Sequence, residues 1–155
     1  MAGVRWKTIT VEEGPMKTVC ALGVLVLSLS LWCLAVHAED TSEKSATAAA
    51  ETWLGHIDAG EYADSWHEAS AYFQGAITEQ AWVALLNGVR TPLGHRLSRQ
   101  LTQVQHTTSM QGAPDGDYVV MQFDTRFEHK QAAVETVTFL QEKQGEWKAA
   151  GYYIK

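Results

Sequence analysis

Asp64, His67 and Glu68 are the residues best spaced for acid–base chemistry. Positions three and four apart share one face of a helix, so the Asp64 carboxylate can orient the His67 imidazole. His67 and Asp64 are therefore the candidate catalytic pair, and they would make the chain a small cavity enzyme. A simpler explanation covers the same residues: a solvated face of an amphipathic helix, with Trp66 on its other side.

A second constellation is cationic. Arg90, Arg96 and Arg99 flank the bend at Pro92-Leu93-Gly94, and planar guanidinium forks suit carboxylates and other anions. These three arginines are candidate ligand- or partner-binding residues. The competing reading pairs them with nearby acidic side chains, and Arg90 also suits the negative end of a helix. Trp53, Trp66, Tyr72, Phe73 and Trp82 load the first half of the chain with aromatic rings. They read first as core, because each large ring buries about 150–250 Å². Trp66 and Phe73 are the two that would line a binding site if some of the rings do not. Asp124 and Arg126 fall on one strand face, with Glu135 across the hairpin, a pattern that predicts a cross-strand ion pair.

Other chemistries lack a signature. His56, His67, His95, His106 and His129 show no paired spacing typical of metal ligands, so no metal is expected. No nucleophile elbow, phosphate loop or other cofactor motif occurs, and no cofactor is expected. Beyond residue 38 the chain carries 9 basic and 16 acidic residues, a net charge of −7. Such a domain is repelled by phosphate backbones, which excludes nucleic acid as a partner and disfavours anionic lipid surfaces.

The elements that position these residues follow from periodicity. Glu39 to Lys44 reads as a polar leader. Ala46, Ala49, Ala50, Trp53, Leu54 and Ile57 then recur at helical spacing, and Gly60 suits the left-handed position after a helix. A second helix is predicted over Glu61 to Ser70, and a third after a Thr78 cap with Trp82, Leu85, Leu86 and Val89 on its apolar face. Pro92 and Gly94 stop it. From Arg96 the period becomes two. Strands are predicted over Arg96–Thr107, Tyr118–Phe127, Ala133–Leu140 and Trp147–Ile154, with Trp147 and Tyr153 on the side that meets the helices. Three helices before a four-stranded meander predict an α+β domain, with the helices on one face of a curved antiparallel sheet and a pocket between them.

The N-terminal third is different. From Val19 to Val36 no residue is charged, Lys17 precedes the block and Val36-His37-Ala38 closes it. These are the parts of a secretory signal peptide over 16–38, cleaved after Ala38, with a membrane anchor as the alternative. Residues 1–15 read as a start-site extension, and 39–155 as one domain. Arg5, Lys7 and Lys17 before the block, against acidic residues after it, place the domain outside the cytoplasm in either case. Cys20 and Cys33 both fall inside the block, so the domain itself contains no thiol.

Several blocks together carry a family resemblance. They are Trp53-Leu54, Ile57-Asp58, Gly60, Tyr62, Ser65-Trp66, Ala69-Ser70 and Phe73, followed by Trp82, Arg90-Thr91-Pro92-Leu93-Gly94 and Arg96. Gly112-Ala113-Pro114-Asp115-Gly116, Tyr118-Val119-Val120, Phe123, Glu135-Thr136-Val137-Thr138 and the Gly145 to Lys155 ending complete the set. The combination resembles the bacterial family called "domain of unknown function 4019" over nearly the whole domain. The resemblance implies an exported bacterial protein, and the element order looks like the cystatin-like or nuclear-transport-factor-2-like cone folds. It carries no functional residues with it. The resulting expectation is a periplasmic or secreted module, not an enzyme, that binds an envelope protein or a small ligand through the concave side of its sheet. Any membrane contact would run through the N-terminal segment alone. A soluble envelope chaperone is a further reading.

Overall fold

The computed structural model describes residues 41–155. The predicted start-site extension, signal segment and both cysteines lie outside the described residues. Helix α1 covers residues 41–59, so Thr41 to Lys44 is helical where a leader is predicted. Its inner face carries Ala46 and Ala50, then Trp53, Leu54 and Ile57, all buried. The alanines let the helix approach closely, and the larger residues fill the space beyond them. Gly60, at φ 79°, ends the helix as expected.

The second predicted helix is shorter than expected, α2 (Tyr62–His67), and after a break at Ser70 comes a helix that is not predicted, α3 (Ala71–Ala76). Ser70 causes the break. It is extended, its backbone N–H donates to Ala149 O at 2.9 Å, and its Oγ caps α3 by accepting from Phe73 N. Helix α4 (Glu79–Arg90) begins at the expected Thr78 cap, with Oγ1 accepting from Ala81 N. Its buried stripe is Trp82, Leu86 and Arg90, at successive spacings of four. Leu85 (48% exposed) and Val89 (38%) face solvent, contrary to the predicted apolar face. Arg90 takes the place of a third apolar residue because the core supplies it with a carboxylate and an aromatic ring. A short 3-10 turn (Thr91–Leu93) follows, and Gly94, at φ 76°, lies so close to Glu128 that a side chain there would clash with it.

Strands β1 (Arg96–Thr107), β2 (Tyr118–Phe127), β3 (Ala133–Gln141) and β4 (Trp147–Ile154) form one antiparallel sheet in that order. The inner face of β2 holds Val119, Met121, Phe123, Thr125 and Phe127, all buried. On β3 it holds Ala133, Glu135, Val137 and Phe139. Two register shifts interrupt β1, one beside Leu97 and one beside Thr102. A third lies in β4: Thr138 pairs with Gly151 while Phe139 pairs with Ala149, leaving Ala150 as the extra residue. That bulge flips the alternation. Trp147 and Ala149 face the core as predicted, but Tyr152 takes the next inner position and Tyr153 is 62% exposed.

Most of the space between helices and sheet, where a pocket is predicted, is filled with rings. Trp53 meets Phe139 and Tyr152 edge-on at 6.2 and 5.9 Å, and Phe73 meets Trp82 at 4.9 Å. Ser65 joins three helices there. Its carbonyl accepts from Trp53 Nε1 at 2.7 Å and its Oγ from Trp82 Nε1 at 3.0 Å, so neither buried indole N–H is left without an acceptor. Among the described residues no helix is long and apolar enough to cross a membrane.

Candidate functional site: an ion cluster and the surfaces around it

The three arginines of the bend converge on one carboxylate. Asp58, near the end of α1, accepts from Arg90 Nη2 at 3.0 Å, Arg96 Nε at 2.7 Å, and Arg99 Nη1 and Nη2 at 2.7 and 2.9 Å. Arg99 continues to Glu135 through Nε at 2.7 Å and Nη2 at 3.0 Å. Glu135 is fully buried and also accepts from Thr125 Oγ1 and Tyr152 Oη, each at 2.6 Å. Every oxygen of the two carboxylates thus accepts two hydrogen bonds, which is how a core tolerates such groups. Burial alone would lower the Arg99 pKa, but the bonds to Asp58 and Glu135 more than reverse this and raise it. Burial, reinforced by the Glu135 charge, raises the pKa of Tyr152, which keeps its hydroxyl a donor.

Arg90 is held differently. It is 4% exposed, its guanidinium lies 4.3 Å over the Phe127 ring, and Nε and Nη1 have no hydrogen-bond partner. Ring stacking supplies part of what those two donors lack. Arg96, by contrast, is 39% exposed at its side chain and uses only Nε.

The cluster lies where three depressions meet. The largest, about 860 Å³, runs over one end of the sheet on the face away from the helices. In register across that face, Gln100 pairs with Asp124 and Asp124 with Val134, while Ser98 pairs with Arg126. Gln131, Ala132 and Lys155 complete the walls. The predicted ion pair of Asp124 and Arg126 with Glu135 does not form, because Glu135 falls at an inner position of β3 and turns toward Arg99. Arg126 donates to Gln131 Oε1 at 2.8 Å instead, and Asp124 has no ion-pair partner among the described residues. The groove therefore presents unpaired charges of both signs. A crevice of about 250 Å³ lies between α1 and β1, and another of about 260 Å³ lies beside Arg90 and Gly94.

His67 is 60% exposed at its side chain, and its Nε2 faces Glu79 Oε2 at 3.3 Å, not Asp64. Among the described residues no bond joins Asp64 to His67. The histidine that carboxylates do hold is His56, with Nδ1 2.7 Å from Glu61 Oε2 and Nε2 3.2 Å from Glu68 Oε2. Trp66 is half-buried and donates to Ile77 O, and Phe73 belongs to the core. Of the two hubs of the cluster, Asp58 is absent from the sequence-based candidates and Glu135 enters them only as a cross-strand ion-pair partner. Glu135 did carry a signal: it shares strand parity with Ala133, Val137 and Phe139, so a carboxylate was due among core residues. No group of three or more metal-ligating side chains occurs among the described residues.

The fold and its surfaces define a small α+β domain with an ion cluster whose carboxylates are saturated and an open, charged groove on its sheet. The chain belongs to the family described as "Protein of unknown function (DUF4019)", which matches residues 49–152. That match runs from α1 through Tyr152 and includes every member of the cluster. No curated protein matches the chain.

Proposed function

We propose that this chain is an exported binding module, not an enzyme, and that it engages an envelope partner or ligand in the groove on the outer face of its sheet. The observation that carries this reading is the groove itself. Its volume of about 860 Å³ lies within the range of ligand sites, and Asp124 and Arg126 stand there without ion-pair partners among the described residues. The interior, in contrast, is packed with rings, and the carboxylates of the cluster accept as many bonds as their geometry allows. Export rests on the uncharged Val19 to Val36 block and the Val36-His37-Ala38 end, and we place the domain in the periplasm or outside the cell. The order of helices before a meander supports a cone-type fold of the cystatin-like or nuclear-transport-factor-2-like kind.

Two measurements test the reading. Mass spectrometry of the protein from an envelope fraction should give Glu39 as the first residue; a chain retaining Val19 to Ala38 would favour the anchor. A photo-crosslinking side chain at Gln100 should capture a discrete partner in cells, whereas the same group at Asn87 on α4 should not. The Gln100 adduct should disappear in an Asp124→Asn/Arg126→Gln background. Identical adducts from both positions would sink the groove assignment.

A further inference from the structure

The crevice between α1 and β1 has a composition of its own. Glu51, Gly55 and Asp58 line it from one face of α1, at spacings of four and three, and Arg96, Arg99, Leu101 and Phe123 line it from the sheet. Gly55 makes the room. A Cβ built there meets nothing within 4 Å, so the opening is not closed by a neighbouring side chain. Phe123 and Leu101 give it an apolar floor, Phe123 being buried and Leu101 half-buried.

Its charges divide between the two ends. At the Asp58 end, three guanidinium groups face two carboxylates whose oxygens already accept two hydrogen bonds each. One positive charge is left over in a domain whose net charge is −7. It is available at Arg96, where the Nε is fixed on Asp58 and the two Nη groups have no partner among the described residues. At the other end stands Glu51, exposed and likewise without an ion-pair partner among the described residues. Glu51 and Asp58 are seven positions apart on the helix, a rise of about 10 Å.

We propose that this crevice binds a small zwitterion whose carboxylate docks on the free edge of Arg96 and whose ammonium group reaches Glu51, with its hydrocarbon spacer over Leu101. Arg96 is suited to the carboxylate because Asp58 holds its Nε and so orients the guanidinium plane before a ligand arrives. The separation of about 10 Å between the helix positions, shortened by the reach of the two side chains, fits a spacer of a few carbons. An ω-amino acid or a very short peptide has this form. The volume of about 250 Å³ excludes anything much larger. This site shares only Arg99 with the groove on the outer face and needs no occupant there.

The probes are 4-aminobutyrate, butyrate and butylammonium, titrated into isotope-labelled protein recovered from expression of the full chain. Amide resonances of Gly55 and Leu101 are the readout. 4-aminobutyrate should move both with a saturable isotherm and bind more tightly than either half-charged analogue. Arg96→Gln should weaken it about fivefold, the scale of one exposed charge contact. Glu51→Gln should weaken 4-aminobutyrate by a similar factor and leave butyrate unchanged. Gly55→Leu fills the crevice at an exposed helix position where leucine favours the helix, so this variant should melt no lower than the parent and bind none of the probes. Shifts that persist in Gly55→Leu, equal binding of butyrate and 4-aminobutyrate, or no shift with any probe would each overturn the assignment.

Discussion

The Tyr152 hydroxyl donates to Glu135 Oε1 across 2.6 Å, tying the bulged end of β4 to the middle of the buried ion cluster. Tyr152→Phe should cost about 1–2 kcal/mol, the range for leaving a buried acceptor short of one bond. Glu135→Ala should cost about 3–5 kcal/mol, because it strands Arg99 in the interior. Urea denaturation of both variants measures this. A loss below about 1 kcal/mol for Glu135→Ala would mean that the cluster does not form in solution.

Trp147 and Tyr153 should respond in opposite ways although both are aromatic and share strand parity by simple counting. Trp147→Ala removes a core ring and should lower stability by about 3–5 kcal/mol. Tyr153→Ala alters an exposed side chain and should stay within about 0.5 kcal/mol. Equal losses in thermal melts would place the bulge elsewhere.

His56 makes stability depend on pH. Its hydrogen bond with Glu61 is the main cause of a raised pKa, burial opposes it, and the charges of Glu68, Glu61 and Asp64 add to it. A folded-state pKa above the unfolded value means that the protonated ring stabilises the fold. The contribution is complete below the unfolded value of 6.5 and is lost as pH rises through the folded value. Melting temperatures of the parent and His56→Gln should therefore differ most at about pH 5.5 and converge at about pH 8.5. A gap that widens with rising pH would contradict the geometry.

Neighbouring leucines on α4 should also differ. Leu86 is buried and Leu85 is not. Leu86→Ala should cost about 2–5 kcal/mol and Leu85→Ala less than about 0.5 kcal/mol, read by the same denaturation.

Much of the sheet was legible because alternation and turn residues are local signals: β1, β2 and β4 have the predicted bounds, and β3 extends one residue further. The helical half was less so. The break at Ser70 depends on a hydrogen bond to Ala149, a partner nearly eighty residues away in the chain. Parity counting failed after Ala150 because one unpaired residue reverses every side chain beyond it. For the site, the arginines could be singled out from their spacing, but their common partner could not. Asp58 sits at a helix end where an acidic residue is usually solvated, and only the fold brings β1 against it.

The two borders of the sheet have a consequence for behaviour at high concentration. Extra residues at Leu97 and Thr102 break the straight run of β1, and on β4 the Ala149 carbonyl is already taken by Ser70. Among the described residues each border row of backbone groups is thus interrupted, and an interrupted edge is a poorer template for strands from other molecules. These interruptions work against fibre growth from the edges of a sheet whose outer face is polar and open.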